Sequence, residues 1–136
     1  MTEAQGGLPH KGSVSSYGLG TGSLALVSAS IPDYQTAACW ITLTGSTAWV
    51  VNTATATLSS YSVNDGDGLS LENPVAASTG QDTFPTDVGS SSDRQFVYVI
   101  KSAGGDLAGY HVNGDSLAHV FELTGLPYSI AGIAVQ

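Results

Sequence analysis

The chain has one cysteine, Cys39, among 136 residues. No disulfide can form within a single copy, so the fold must rest on a packed core. Charge is scarce as well: Asp, Glu, Lys and Arg make up 10% of the residues. The shortage is one-sided. Lys11, Arg94 and Lys101 face eleven acidic residues, for a formal net charge of −8. Phosphate backbones and anionic lipid headgroups need clustered Lys and Arg to bind. Neither nucleic acid nor a membrane surface is therefore an expected partner, and the acidity serves solubility. No run approaches the ~18 apolar residues of a membrane-spanning helix. Met1-Thr-Glu-Ala-Gln-Gly-Gly7 has neither the basic nor the apolar region of a secretory signal. A soluble chain is expected, cytoplasmic by default, with export open for a longer parent protein. No long stretch shows the ~3.6-residue apolar period of a helix.

What is abundant points to strands. The 17 glycines, with frequent Ser, Thr and Val, read as an all-β chain with many turns. Apolar alternation runs through Val97-Tyr-Val-Ile100 and Leu58-Ser-Ser-Tyr-Ser-Val63. One domain is expected at this length.

A segment also repeats. Val14-Ser-Ser-Tyr17 is echoed by Leu58-Ser-Ser-Tyr61 and by Leu107-Ala-Gly-Tyr110, each followed by a Gly-rich turn and a Leu. The tyrosines stand 44 and 49 residues apart. Ala38-Cys-Trp-Ile41 lines up with Pro85-Thr-Asp-Val88 and Ile130-Ala-Gly-Ile133, and Trp49 with Tyr98. A period in the forties carried by strands is the mark of β-propeller blades, each of which buries its faces only against neighbours.

Four strands per blade give this division: a flexible head over 1–12, a half-blade over 13–30, a blade over 37–72, a blade over 86–123, and a closing inner strand over 130–135. Residues 73–84 form a crossing loop. The expected architecture is a partial propeller of about three antiparallel blades. A half-blade and a lone inner strand both leave backbone groups unpaired, so self-association into a dimer or larger ring is expected. Pairing of the closing strand and the head with the half-blade would make about three blades per copy, and two copies would close a ring.

Ser13-Val-Ser-Ser-Tyr17, Gln35-Thr-Ala-Ala-Cys-Trp-Ile-Thr42, Val51-Asn-Thr53, Pro85-Thr-Asp-Val88 and Phe96-Val-Tyr-Val99 resemble the C-terminal part of the lactonase-like β-propellers. Members of that family are similar to seven-bladed bacterial 6-phosphogluconolactonases. The resemblance runs from about residue 8 to 135. It implies the propeller fold and, for a completed ring, hydrolysis of a sugar lactone. This chain carries under half of such a ring, which suits a fragment, a truncated product or an engineered piece. No catalytic motif of the family maps onto its residues. A non-catalytic or remnant module serving assembly or ligand binding is the first expectation, and a lactone hydrolase active only in a completed ring is the alternative.

Few residues offer chemistry. Asp87 lies on an inner strand, which lines a propeller's channel, and is the one catalytic candidate, as a general base or cation ligand. The bland alternative is a carboxylate capping loop amides. Cys39 has no histidine at a nucleophile's spacing and reads as an inert core thiol. Asn64-Asp-Gly-Asp-Gly68 with Glu72 lacks the ligand count and flanking helices of a calcium loop and reads as a hairpin turn. His10, His111 and His119 are scattered, so neither a metal nor another cofactor is expected. Trp40, Trp49, Tyr61, Tyr98 and Tyr110 recur at repeat positions and are expected to pack blade on blade. Tyr34, Phe84 and Tyr128 fall in loops between blades and are the candidate ligand-binding residues for a small molecule.

Overall fold

A computed structural model describes every residue except Asp67. Its strands are β1 (Thr2–Glu3), β2 (Ser13–Gly20), β3 (Ser23–Pro32), β4 (Ala38–Thr44), β5 (Thr47–Asn52), β6 (Thr57–Val63), β7 (Leu69–Ser78), β8 (Pro85–Ser90), β9 (Phe96–Lys101), β10 (Asp106–Asn113) and β11 (Ser116–Leu123). They form three antiparallel sheets in the orders β1-β2-β3, β4-β5-β6-β7 and β8-β9-β10-β11. The chain is all-β, a partial propeller-like array of three blades.

Alternation explains the stacking. On β5, Ala48 and Val50 face the first sheet and Trp49 and Val51 face the third. One core therefore joins blades one and two through Val14, Ala38, Ala48, Val50 and Tyr61. A second joins blades two and three through Trp49, Val51, Leu58, Val97, Val99, Ala108 and Tyr110. Tight hairpin turns use glycine where φ is positive, as at Gly22 (84°) and Gly114 (64°). Each blade also carries a register shift just before its repeat tyrosine, at Ser16/Tyr17, Ser60/Tyr61 and Gly109/Tyr110. Such a bulge re-aims the side chain that follows it. It turns Tyr61 and Tyr110 back onto the preceding blade.

Three boundaries differ from expectation. Residues 1–12, expected as a flexible head, contribute β1, which pairs Thr2 with Val14 and Glu3 with Ser13. The Glu3 carboxylate fixes this strand by accepting from Ser13 Oγ (2.6 Å), Ser15 Oγ (2.5 Å) and Ser30 Oγ (2.8 Å). β7 runs to Ser78, through what was expected to be a loop. Pro74 is tolerated because β7 is an outer edge strand, where a missing N–H costs no ladder bond. Residues 130–135 are not a strand. Gly132 has φ of 93°, and the segment lies against β8 through side chains rather than through a ladder.

Candidate functional site

The inner strands follow one another around an axis. β4 meets β8 through Thr42 Oγ1 to Ser90 Oγ (3.2 Å) and Ser90 Oγ to the Leu43 carbonyl (2.9 Å). Residues 130–135 then meet β8. A Cβ at Gly89 would stand 2.8 Å from Val135 Cγ2, so only glycine admits this close approach.

Asp87 sits in that second contact, half-buried on β8. Its Oδ1 accepts from its neighbour's amide, Val88 N (2.8 Å), and its Oδ2 accepts from Ile133 N (2.7 Å). A register shift at Pro85/Asp87 matches the one at Ala38/Trp40, which makes Asp87 the structural counterpart of Trp40. Both carboxylate oxygens are thus engaged by backbone amides, as a positioning group's would be.

Among the described residues no group of three His, Cys, Asp or Glu side chains is placed to hold a metal. Cys39 is half-buried, and its carbonyl accepts from Thr2 Oγ1 (2.8 Å). His111 pairs with Ala118 and Tyr110 with His119, so the two histidines occupy successive positions and opposite faces of the sheet. Each lies edge-on to an aromatic ring, His111 on Phe96 and His119 on Tyr110. In the 64–68 turn, Asn64 N donates to the Gly68 carbonyl, while Glu72 accepts from Ser62 on the adjacent strand. Asp67 of that turn lies outside the described residues.

The three loop aromatics are exposed, and two hollows formed among the described residues bring no two of them together. Tyr34, Phe84 and Tyr128 are 60%, 50% and 76% accessible. Tyr34 alone lines a concavity of ≈ 460 Å³, together with Gln5, Leu8, His10, Lys11, Ser13, Ser30 and Pro32. Its backbone is unusual: Gln5 (φ 50°), His10 (58°), Ser30 (46°) and Tyr34 (61°) all adopt the left-handed region. Non-glycine residues rarely do so, and where they gather the surroundings hold them there. His10 Nδ1 lies 3.0 Å from the Tyr34 carbonyl. Tyr34, Leu8 and Pro32 give this hollow a largely apolar lining, edged by the polar groups of His10, Lys11 and Gln5, which suits a small molecule with an apolar body.

A second hollow of ≈ 410 Å³ lies between the first two blades, where β1 ends and no inner strand precedes β4. Met1, Val14, Tyr17, Leu19, Ile41, Leu43, Ala48, Val63 and Leu69 give it an apolar lining. Leu19, Ile41 and Leu43 remain 86%, 37% and 54% accessible.

Two acids that the sequence did not single out are shaped by their surroundings. Hydrogen bonds from Ser13, then Ser15, hold the Glu3 carboxyl below the usual range. Burial pushes the Asp33 carboxyl up. Asp33 is fully buried; Oδ1 accepts from Gln35 N (2.8 Å), and Oδ2 has no partner among the described residues. The signal for Asp33 was the Pro-Asp turn, whose acid bonds the amide two residues on.

Among solved structures, the chain is similar to a protein of unknown function from Desulfotomaculum acetoxidans, with TM-score 0.64 and 20% identity over 76% of this chain and 32% of that one. It is also similar to proposed 6-phosphogluconolactonases from Bacteroides uniformis (TM-score 0.46, 15% identity, 85% of this chain and 50% of that one) and Bacteroides fragilis (0.46, 12%, 85% and 51%). The chain therefore spans between about a third and a half of the structures it matches. No family model matches it, and no curated protein does. Among the described residues no helix is long and apolar enough to cross a membrane. The first of these likenesses bears on the fold alone.

Proposed function

We propose that this chain is a non-catalytic propeller module that serves assembly. Its outer blade faces take up further blades, and the hollow around Tyr34 takes a small ligand. The observation that carries this reading is the apolar hollow before β4, lined by Ile41 and Leu43. An inner strand of a propeller ordinarily packs against the inner strand before it, as β8 does against β4. Here β4 meets the two-residue strand β1, with Ala38 packed on Val14 of β2, and Ile41 and Leu43 stay open to the hollow. Leu19, Leu24 and Leu26 on the first blade and Val120, Phe121 and Leu123 on the third are also exposed. Apolar surface of this kind marks an interaction site.

Asp87 supports the same reading, because its carboxylate is spent on two backbone amides. Purified protein is expected to leave sugar lactones unhydrolysed. Hydrolysis lost in Asp87→Ala would overturn the non-catalytic reading and favour the lactone hydrolase. Hydrolysis unchanged by that substitution would also overturn it, while removing Asp87 from the chemistry.

A further inference from the structure

We infer that the hollow before β4 is filled by residues 130–135 of a second copy of this chain, so that two copies complete one another's first blade. The inference rests on the assembly reading above and names its partner.

The repeat supplies the first observation. Ile130-Ala-Gly-Ile133 occupies the same repeat position as the starts of β4 and β8, so it is inner-strand sequence. In the structure it lies beside β8, as β8 lies beside β4. Residues 130–135 thus belong to none of the three sheets. The chain also holds a first sheet, β1-β2-β3, without a full inner strand. Each supplies what the other lacks.

The second observation is an open backbone edge. Met1 and Ser15 exchange both backbone bonds: Met1 N donates to the Ser15 carbonyl and Ser15 N to the Met1 carbonyl, 2.8 and 2.9 Å. Antiparallel ladders alternate, so the Thr2 N–H and C=O point to the other side, away from β2. That free edge follows Met1, which lines the hollow, and can take a strand.

The third is the surface on offer. Ile133 and Val135 are half-buried against β8, while Ala131, Gly132 and Ala134 are exposed. A face of small residues allows close approach by Ile41 and Leu43. No charged side chain lies in residues 130–135 or in the lining of the hollow. Asp87, the acid beside the tail, is bonded to Val88 N and Ile133 N, so two copies with a net charge of −8 each meet there without a free carboxylate from the tail.

The contact is head-to-tail, and two copies form it twice, closing a ring of six inner strands by symmetry. Tyr17 then acquires a role. Tyr61 and Tyr110 each donate to an outer-strand carbonyl of the preceding blade. Tyr17 holds the same repeat position on the first blade, whose preceding blade is the third blade of the second copy.

The test uses the full chain and two single variants, Ile41→Asp in the hollow and Ala134→Asp on the exposed face of the tail, with circular dichroism to confirm folding. Light scattering should give twice 13.8 kDa for the unsubstituted protein and the single mass for each variant. An equimolar mixture of the two variants should recover a dimer, weaker than the original, because one intact tail still meets one intact hollow. A dimer that survives both substitutions overturns the tail-into-hollow contact and leaves the assembly reading standing. Variants that dissociate but fail to complement in the mixture, despite native circular dichroism, overturn the head-to-tail arrangement. A monomeric unsubstituted chain at all concentrations overturns the inference together with self-assembly, and returns the open faces to blades of a longer protein.

Discussion

The Tyr61 hydroxyl donates a hydrogen bond to the Ile31 carbonyl of the preceding blade at 3.1 Å. Tyr110 repeats the relation with Ser78 at 3.3 Å. Both rings are buried in the cores between blades, and both phenols are pushed up by burial, Tyr110 to about 12. The bond ties the outer strand of one blade to the third strand of the next.

Tyr61→Phe is expected to cost about 1 kcal/mol, the net value of one hydrogen bond. Tyr61→Ala is expected to cost about 3–5 kcal/mol, since it also empties the core between blades one and two. Urea unfolding of the two variants separates the polar contribution from the packing contribution. A Tyr61→Phe variant as stable as the unsubstituted protein would show that the bond to Ile31 is not formed.

Alkaline pH tests Tyr110 separately. Its folded pKa of about 12 lies above the ordinary tyrosine value of about 10. The neutral phenol is favoured by the fold, so its contribution is complete below about pH 10. It is lost as pH rises through about 12. Tyr110→Phe should flatten that loss, as read from denaturant midpoints across the alkaline range.

Glu3 and Asp33 are expected to respond to acid in opposite senses. Glu3 is held low by Ser13 and Ser15, so its stabilisation is present above the ordinary glutamate range and is lost as pH falls through its lower folded value. Glu3→Gln should reduce the acid sensitivity of the Tm. Asp33 is pushed up by burial, so its ionised form weighs against the fold at neutral pH. Asp33→Asn keeps an oxygen for Gln35 N and should raise the Tm at neutral pH but not in acid. A lower Tm at neutral pH would contradict this assignment.

Lys101 is buried, and its ammonium meets Glu122 Oε1 at 2.5 Å. Glu122 is itself partly exposed, which lowers the value of the pair below that of a fully buried one. Glu122→Ala leaves the lysine without its carboxylate and is expected to cost about 2 kcal/mol. Lys101→Met with Glu122→Leu should recover much of that loss. Failure to recover would mean that the pair is not the source of the cost.

The blades were legible in the sequence because their signals are local. Tyr17, Tyr61 and Tyr110 mark one strand position, and alternation on β5 assigns Trp49 and Val50 to opposite faces. Trp40 broke the pattern: it shares a repeat position with Asp87, yet it remains 48% accessible. The head escaped because β1 is two residues long and shows no alternation; it is held by Glu3 reaching serines at 13, 15 and 30. The tail misled because Ile130-Ala-Gly-Ile133 has the composition of a strand, and composition does not supply a partner. The position of Asp87 was read correctly, but its bond to Ile133 N spans 46 residues and leaves no local trace. Of the loop aromatics, Tyr34 lines a hollow because His10 and Gln5 of the head fold against it.

The most direct measurement is the solution mass of the unsubstituted chain by light scattering on a sizing column over a range of concentrations. Two copies closing one ring require a species of twice 13.8 kDa that persists on dilution. A stable, folded species of 13.8 kDa at every concentration would contradict it.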